Sequence, residues 1–472
     1  MKPTACLLLF WMVLATACSV AKKAGYSPKQ KYSPAALKKD VEAIEQTLLQ
    51  NHPSLYWYNS REAVAASFLR AKRNIKDSMD EVAFRNLLNE TLAVLHCGHT
   101  SVRPSRRYSR AVTDRRPMGF PLLLKLIDDS TLAVTVNYNR SDTSIRQGMT
   151  VLSINNRSAA ALIDTLFPLV PTDGFARNFS YQNISNNFSN FYNSRFPNDT
   201  VYEVRYIDFN GQTQLKKLRP YNAAKDTVRR RIDPQPAIPA TGERQRKLQA
   251  TRGFTVDSSG SFAIMRLTSF TRLLQPSFIR KSFRQLRRQQ VPNLVVDVRS
   301  NGGGLINRSL LLTRFIRTEP FVFTDSIFAV RRTLRTSLKV EKKLFNQLGM
   351  RLLNRKVNDS IYRFAFFSGR RYKPHRNRYQ GKVYILTGGF SFSATTMFLA
   401  NVKGQPNVTL VGEETGGGYY GNNGVFIPDV TLPTSRLRVR LPLYRIVNRK
   451  ELPNNGSGVR PDVELSLIHI SE

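Results

Sequence analysis

Leu294-Val-Val-Asp-Val-Arg-Ser-Asn-Gly-Gly-Gly304 and Val383-Tyr-Ile-Leu-Thr-Gly-Gly-Phe-Ser-Phe-Ser-Ala-Thr395 decide the reading of this chain. Each begins with a short apolar run that predicts a buried strand. Each then passes through a glycine-rich turn, and a helical pattern follows. A strand–turn–helix junction leaves backbone N–H groups without partners, and such groups can receive a developing negative charge. The second junction adds serines, Ser391 and Ser393, where a nucleophile would stand. Together the two junctions imply acyl-transfer chemistry on a peptide or an ester.

Working outward, strands alternate with helical segments from Phe262-Ala-Ile-Met-Arg-Leu267 onward, which predicts an α/β domain over residues 251–472. A strongly basic insertion with some helical periodicity occupies 330–380. Its role stays open between a lid, a membrane-facing surface and decoration. Residues 221–250 are basic and proline-containing and read as a linker. Before them, residues 113–220 hold short strands, among them Leu122–Leu126 and Leu132–Val136, and then an irregular Asn/Ser/Phe-rich connection over 172–200. Within this region, Ile145-Arg-Gln-Gly-Met-Thr-Val-Leu-Ser-Ile-Asn-Asn156 resembles the glycine-led turn that precedes the second helix of a PDZ domain. Such domains bind peptide ends at a sheet edge. Residues 33–112 are helical in pattern. Ser33-Pro34 marks a start with proline at the first helical position. Leu37, Val41, Ile44 and Leu48 recur at helical spacing, and further helices fit Glu62–Ile75 and Met79–Leu95.

The N-terminus reads as a targeting segment. Lys2 gives a positive start, Leu7–Leu14 form a short apolar run, and Ala15-Thr16-Ala17 precede Cys18. That order resembles a bacterial lipoprotein signal over residues 1–18, with lipidation of Cys18 and a tether over 19–32. It implies export, and anchoring at the periplasmic face of a membrane or at the cell surface. The apolar run is too short for a stable spanning helix. Cys6 would leave with the signal, so Cys97 would have no disulfide partner.

The 472 residues predict two or three domains. The net charge of +39 suits an anionic surface, but the basic residues are spread along the chain, as in a solvated arginine-rich face. No zinc-finger spacing or other nucleic-acid motif accompanies it, so no nucleic-acid partner is expected. The sequence has no His-Glu-x-x-His, no Cys-x-x-Cys and no Gly-x-x-x-x-Gly-Lys motif. No metal and no cofactor are therefore expected.

A serine attacks a carbonyl only when a base takes its proton and donors receive the oxyanion. Ser393 precedes Ala394 and a helical run. The same position suits a helix N-cap, and Ser391 competes as nucleophile. A histidine has the right unperturbed pKa to be the base. Leu95-His-Cys-Gly-His-Thr-Ser101 offers His99 and, one turn earlier, His96. His52 reads as shaping a helix end. His375 and His469 lie in basic or terminal contexts. Cys97 lacks the pattern of a cysteine nucleophile and reads as structural.

At these residues the chain resembles the C-terminal processing (tail-specific) serine peptidases, and more closely their tricorn-core-like branch. The matching pieces are Asp297–Gly304, Ser391-Phe-Ser-Ala394, Val411-Gly-Glu-Glu-Thr-Gly-Gly-Gly418 and Gly458-Val-Arg-Pro-Asp-Val463. The order of helical, PDZ-like and catalytic regions fits as well. The resemblance implies a crotonase-like ββα-spiral catalytic domain. It places the nucleophile on Ser393, the oxyanion hole on the N–H groups of Ala394 and Gly303, and gives Asp297 and Asn301 architectural roles. The processing peptidases use a lysine after the serine, but here glycine stands in its place and Lys403 lies elsewhere on the following helix. The tricorn-like branch instead takes an upstream histidine, which implies His99. It also completes a relay with a carboxylate near the C-terminus, for which Glu451, Glu413 and Glu414 are the candidates. The closing signature ends at Glu464, and Leu465–Glu472 are expected to be a non-native tail.

The function so implied is a serine endopeptidase acting on peptides or exported proteins. A non-catalytic peptide-binding lipoprotein is the rival, on the missing lysine and the unassigned carboxylate. An esterase using the same serine is the third reading.

Overall fold

The computed structural model describes residues 26–113, 119–197, 199–222, 250–271 and 275–465. The expected signal segment with Cys18, the first half of the tether, most of the 221–250 linker and the tail beyond Leu465 lie outside the described residues.

The glycine-rich stretches form the middle of a six-stranded sheet. Its order is Arg252–Val256, Phe262–Leu267, Asn293–Asp297, Lys382–Thr387, Val408–Gly412 and Val463–Glu464. The first pair is antiparallel and every later pair is parallel. Alternate residues such as Leu294, Val296, Val383 and Ile385 are buried between this sheet and helices Gln275–Arg288, Ile306–Ile316 and Ala394–Val402. Parallel strands sharing one face direction end at the same edge of the sheet. The turns after Asp297 and Thr387 therefore emerge side by side, where open α/β sheets place their ligands.

Three N-terminal helices form where the apolar spacing predicted them: Pro34–Asn51, Arg61–Asn74 and Glu81–Ala93. Pro34 occupies the first turn, and Ser60 and Asp80 cap the next two helices through their side-chain oxygens. These helices share one core with the C-terminal half. Leu37, Val41 and Leu88 are buried in the same cluster as Phe323, Val430 and Tyr444. Two antiparallel sheets carry the C-terminal part of that core. One is built from strands Asn354–Asn358, Ile361–Phe364, Ser326–Ala329, Tyr444–Val447 and Gly421–Gly424. The other runs Lys339–Val340, Asp429–Thr431, Arg438–Arg440 and Val102–Arg103.

Residues 122–218 form an antiparallel sheet of Leu122–Leu126, Leu132–Asn137, Thr150–Ile154, Tyr202–Ile207 and Thr213–Leu218, with its own apolar core. Gly148 at φ +92 opens the Met149–Ile154 segment. Asn155 and Asn156, both at positive φ, turn the chain toward the Ala159–Leu166 helix. The fold is thus mixed α/β, with helical, β-rich and α/β spiral parts. The 172–200 stretch differs from the irregular connection expected of it. It holds helices Asn178–Asn186 and Phe188–Arg195, because Ile184, Phe188 and Tyr192 are buried in this core despite the weak helix propensity of the surrounding Asn and Ser. The basic insertion is also structured: the helix Lys343–Leu353 lies between short strands, and the loop before them docks on the first helix, where Asn51 exchanges hydrogen bonds with Arg335.

Candidate active site

Two turns lock together at the edge of the six-stranded sheet. The Ser391 hydroxyl donates to the Val298 carbonyl (2.8 Å), and the Phe392 N–H donates to the Asn301 carbonyl (3.1 Å). Ser391 is fully buried, whereas Ser393 is only partly buried and is the more accessible of the two candidates. Ser393 sits at φ +55 and ψ −120, a conformation that costs a non-glycine residue about 1–3 kcal/mol. Its side chain makes no capping hydrogen bond to the Ala394–Val402 helix. The hydroxyl instead lies 3.1 Å from His99 Nε2. The elbow aims the serine out of the turn and leaves the Ala394 N–H without an acceptor among the described residues.

Gly303 is pressed against this elbow. A Cβ there would stand 2.7 Å from the Phe392 carbonyl oxygen and 2.8 Å from the Ser393 Cβ, and its φ of +94 favours glycine independently. Its N–H, however, donates to Asn301 Oδ1 at 3.0 Å. The Ala394 N–H is therefore the open donor of the expected pair, while the Gly303 N–H is held within its own turn. Asp297 binds the Arg299 N–H and guanidinium, which tethers the strand end.

His99 reaches Ser393 from the turn after the third helix. The chain beyond it is fixed as strand Val102–Arg103, which pairs with Arg438–Arg440. The imidazole is only 6 % exposed, with Phe392 packed 5.2 Å from it, centroid to centroid. On its far side Nδ1 lies 3.8 Å from Asp173 Oδ1. Asp173 is 2 % exposed; its Oδ1 accepts the Gly98 N–H at 2.7 Å, and its Oδ2 has no partner among the described residues. Ser393, His99 and Asp173 thus lie in line.

Asp173 was not anticipated, and it displaces the three carboxylates expected of the relay. Glu413 binds the Gln182 side chain, and Glu414 accepts the Gly458 N–H at 2.7 Å. Glu451 borders a separate cavity beside Arg317 and Arg449. Each is taken up by the turn or surface it stands on, and the carboxylate facing His99 comes from the Thr172-Asp-Gly174 loop instead. That Asp-Gly pair was the available signal, since Asp and Gly favour tight turns. His96 holds the loop rather than Ser393. Its Nδ1 contacts the Gly174 carbonyl, its own carbonyl accepts the Gly174 N–H, and burial lowers its pKa.

The remaining candidates are structural in place. His52 Nε2 contacts Thr100 Oγ1 at 3.0 Å. Cys97 is buried, and burial raises its thiol to about 12, so it carries no thiolate near neutrality. His375 stacks on Phe315, and Lys403 pairs with Asp462. Beside the two turns a cavity of about 460 Å³ runs along the Leu122–Leu126 strand. Ser300, Gly388 and Phe390 border it, as do Lys125, Arg299 and Glu413.

Residues 261–465 match the model of Peptidase family S41. The matched stretch holds both glycine-rich motifs and is similar to this peptidase family, as those motifs led one to expect. Its fold is similar to that of mature CPAF (12 % identity over 92 % of this chain and 93 % of that one, TM-score 0.60). It is likewise similar to mature CPAF complexed with lactacystin (12 % identity, 92 % and 94 % covered, TM-score 0.59). No curated protein sequence matches the chain.

Proposed function

We propose that the chain is a serine endopeptidase that cleaves peptides or exported proteins through an acyl-enzyme on Ser393, with His99 as base. The observation that carries this reading is the 3.1 Å contact between His99 Nε2 and a Ser393 hydroxyl held on a strained elbow. His99 Nε2 takes the hydroxyl proton as Oγ bonds the scissile carbonyl carbon. The carbonyl electron pair moves onto oxygen, beside the open Ala394 N–H. The Gly303 N–H completes the hole by exchanging Asn301 Oδ1 for the oxyanion. One such donor is worth about 10²–10³ in rate. Collapse expels the amine, which leaves with the proton held on His99. Water then gives a proton to His99 and attacks the ester carbon, and Ser393 departs with that proton. Asp173 stabilises the imidazolium by charge at 3.8 Å. The cavity along Leu122–Leu126 receives substrate residues flanking the scissile bond.

The lipoprotein-like order of residues before Cys18 supports a chain anchored through lipid at the periplasmic face of a membrane or the cell surface. The chemistry is tested with a fluorophosphonate probe, mapping the labelled residue by mass spectrometry. Label is expected on Ser393, absent in Ser393→Ala and slowed about a hundredfold or more in His99→Ala. A folded protein that takes no label, or a Ser393→Ala variant that still cleaves peptides, sinks the proposal.

A further inference from the structure

The Lys343–Leu353 helix turns an apolar side to solvent. Leu344, Phe345, Leu348 and Leu352 are 82 %, 66 %, 59 % and 70 % exposed. At about 100° per residue, these four side chains fall in a sector roughly 100° wide. The fold uses the opposite side: Asn346 and Met350 are buried, and Gly349 lies against the Phe426 ring. The chain continues into strand Asn354–Asn358, where Val357 is half exposed, and Phe366, in the turn after strand Ile361–Phe364, is half exposed too. Single exposed apolar residues are ordinary, but a continuous stripe marks a contact surface.

The charges around the stripe indicate what it meets. Lys342, Lys343, Arg351, Arg355 and Lys356 flank it, and residues 331–380 carry 15 Lys or Arg against two Asp or Glu. Both acids are already paired, Glu341 with Arg106 and Asp359 with Lys356. An apolar stripe bordered by cations is the pattern of a helix that lies in a lipid interface, where anionic head groups meet the cations. A second copy of this chain would bring an equally positive surface against it and be repelled. The helix has 11 residues, and no helix among the described residues is long and apolar enough to cross a membrane. We propose that this face docks on an anionic phospholipid bilayer, with Leu344, Phe345, Leu348 and Leu352 seated below the head groups. The contact is separate from any lipid on Cys18 and does not depend on the chemistry at Ser393.

The test is co-sedimentation of the full chain carrying Cys18→Ser, which removes acylation at that position. Vesicles of phosphatidylcholine, and of phosphatidylcholine mixed with phosphatidylglycerol, are compared at low and high salt. Binding is expected to the mixed vesicles and to weaken with salt. Adding Leu344→Ser, Phe345→Ser, Leu348→Ser and Leu352→Ser should lower the partition coefficient about tenfold or more. Residues 1–17 are common to both proteins, so the difference reports the helix. An unchanged melting temperature shows that the variant is folded, and the single change Leu344→Ser gives a milder version of the same readout. Equal binding of parent and variant, or equal binding to both vesicle types, overturns the proposal. So does a dimer in sedimentation velocity that the four substitutions dissociate, which would assign the face to a second copy.

Discussion

Between His99 Nδ1 and Asp173 Oδ1 there are 3.8 Å, too far for a hydrogen bond and close enough for a charge interaction once the ring is protonated. The carboxylate cannot simply turn toward the ring, because the same Oδ1 holds the Gly98 N–H. Gly98 itself has no room for a side chain: a Cβ would meet Phe392 at 2.4 Å and Asp173 Oδ1 at 3.1 Å. Asp173→Asn keeps an oxygen for the Gly98 N–H and removes only the charge. Peptide hydrolysis should fall about 10²–10⁴-fold in kcat with little change in KM, and fluorophosphonate labelling of Ser393 should slow in parallel. A variant within threefold of the parent would remove Asp173 from the catalytic line. The melting temperature, which should barely move, separates a lost charge from a lost loop.

Strand, turn and helix place these groups, and the turn has the least freedom. Gly303→Ala sets a methyl against the Phe392 carbonyl oxygen, the Ser393 Cβ and the Ala394 N, at a backbone angle that disfavours any side chain. Strain and overpacking each cost about 1–3 kcal/mol. Labelling of Ser393 should drop by two orders of magnitude or more, with a clearly lowered urea midpoint. Labelling at the parent rate would mean that Gly303 does not support the elbow. The two glycine-rich elements were legible because an apolar run ending in glycines has few other structures open to it. His99 was legible through its Gly-His-Thr setting. Asp173 was not, since its loop is ordered by partners distant in sequence: the His96 carbonyl holds Gly174 and the Gly456 carbonyl accepts the Phe175 N–H. The Asn178–Asn186 and Phe188–Arg195 helices were hidden for a related reason. Their Asn- and Ser-rich sequence is helical by tertiary burial of Ile184, Phe188 and Tyr192 rather than by propensity.

Ser393 and His99 lie 294 residues apart, so the site exists only while the N-terminal helices and the C-terminal strands share their core. A buried polar chain crosses that junction. The Ser54 N–H donates to His52 Nδ1, and His52 Nε2 lies 3.0 Å from Thr100 Oγ1, next to His99. Thr100 and Asn423 then both donate to Cys97 Sγ, and Asn423 Oδ1 accepts the Ser54 hydroxyl. Because Nδ1 accepts from Ser54, the hydrogen of a neutral His52 sits on Nε2. Protonation would set a second N–H against the Ser54 N–H inside the core. Burial accordingly pushes the His52 pKa down from 6.5 to about 3. The sign follows from proton counts. The unfolded chain takes up this proton near pH 6.5, while the folded chain does so only near 3. Stability from His52 is therefore complete above the unfolded pKa and is lost as the pH falls through that window, at up to about 1.4 kcal/mol per pH unit. His52→Gln should be less stable than the parent at neutral pH, because the polar chain is disturbed. Its unfolding free energy should nevertheless fall less steeply on acidification, by about one proton's slope. Urea unfolding at several pH values between neutrality and pH ~4 measures both slopes. Parallel slopes would mean that His52 takes up its proton in the folded protein as readily as in the unfolded chain.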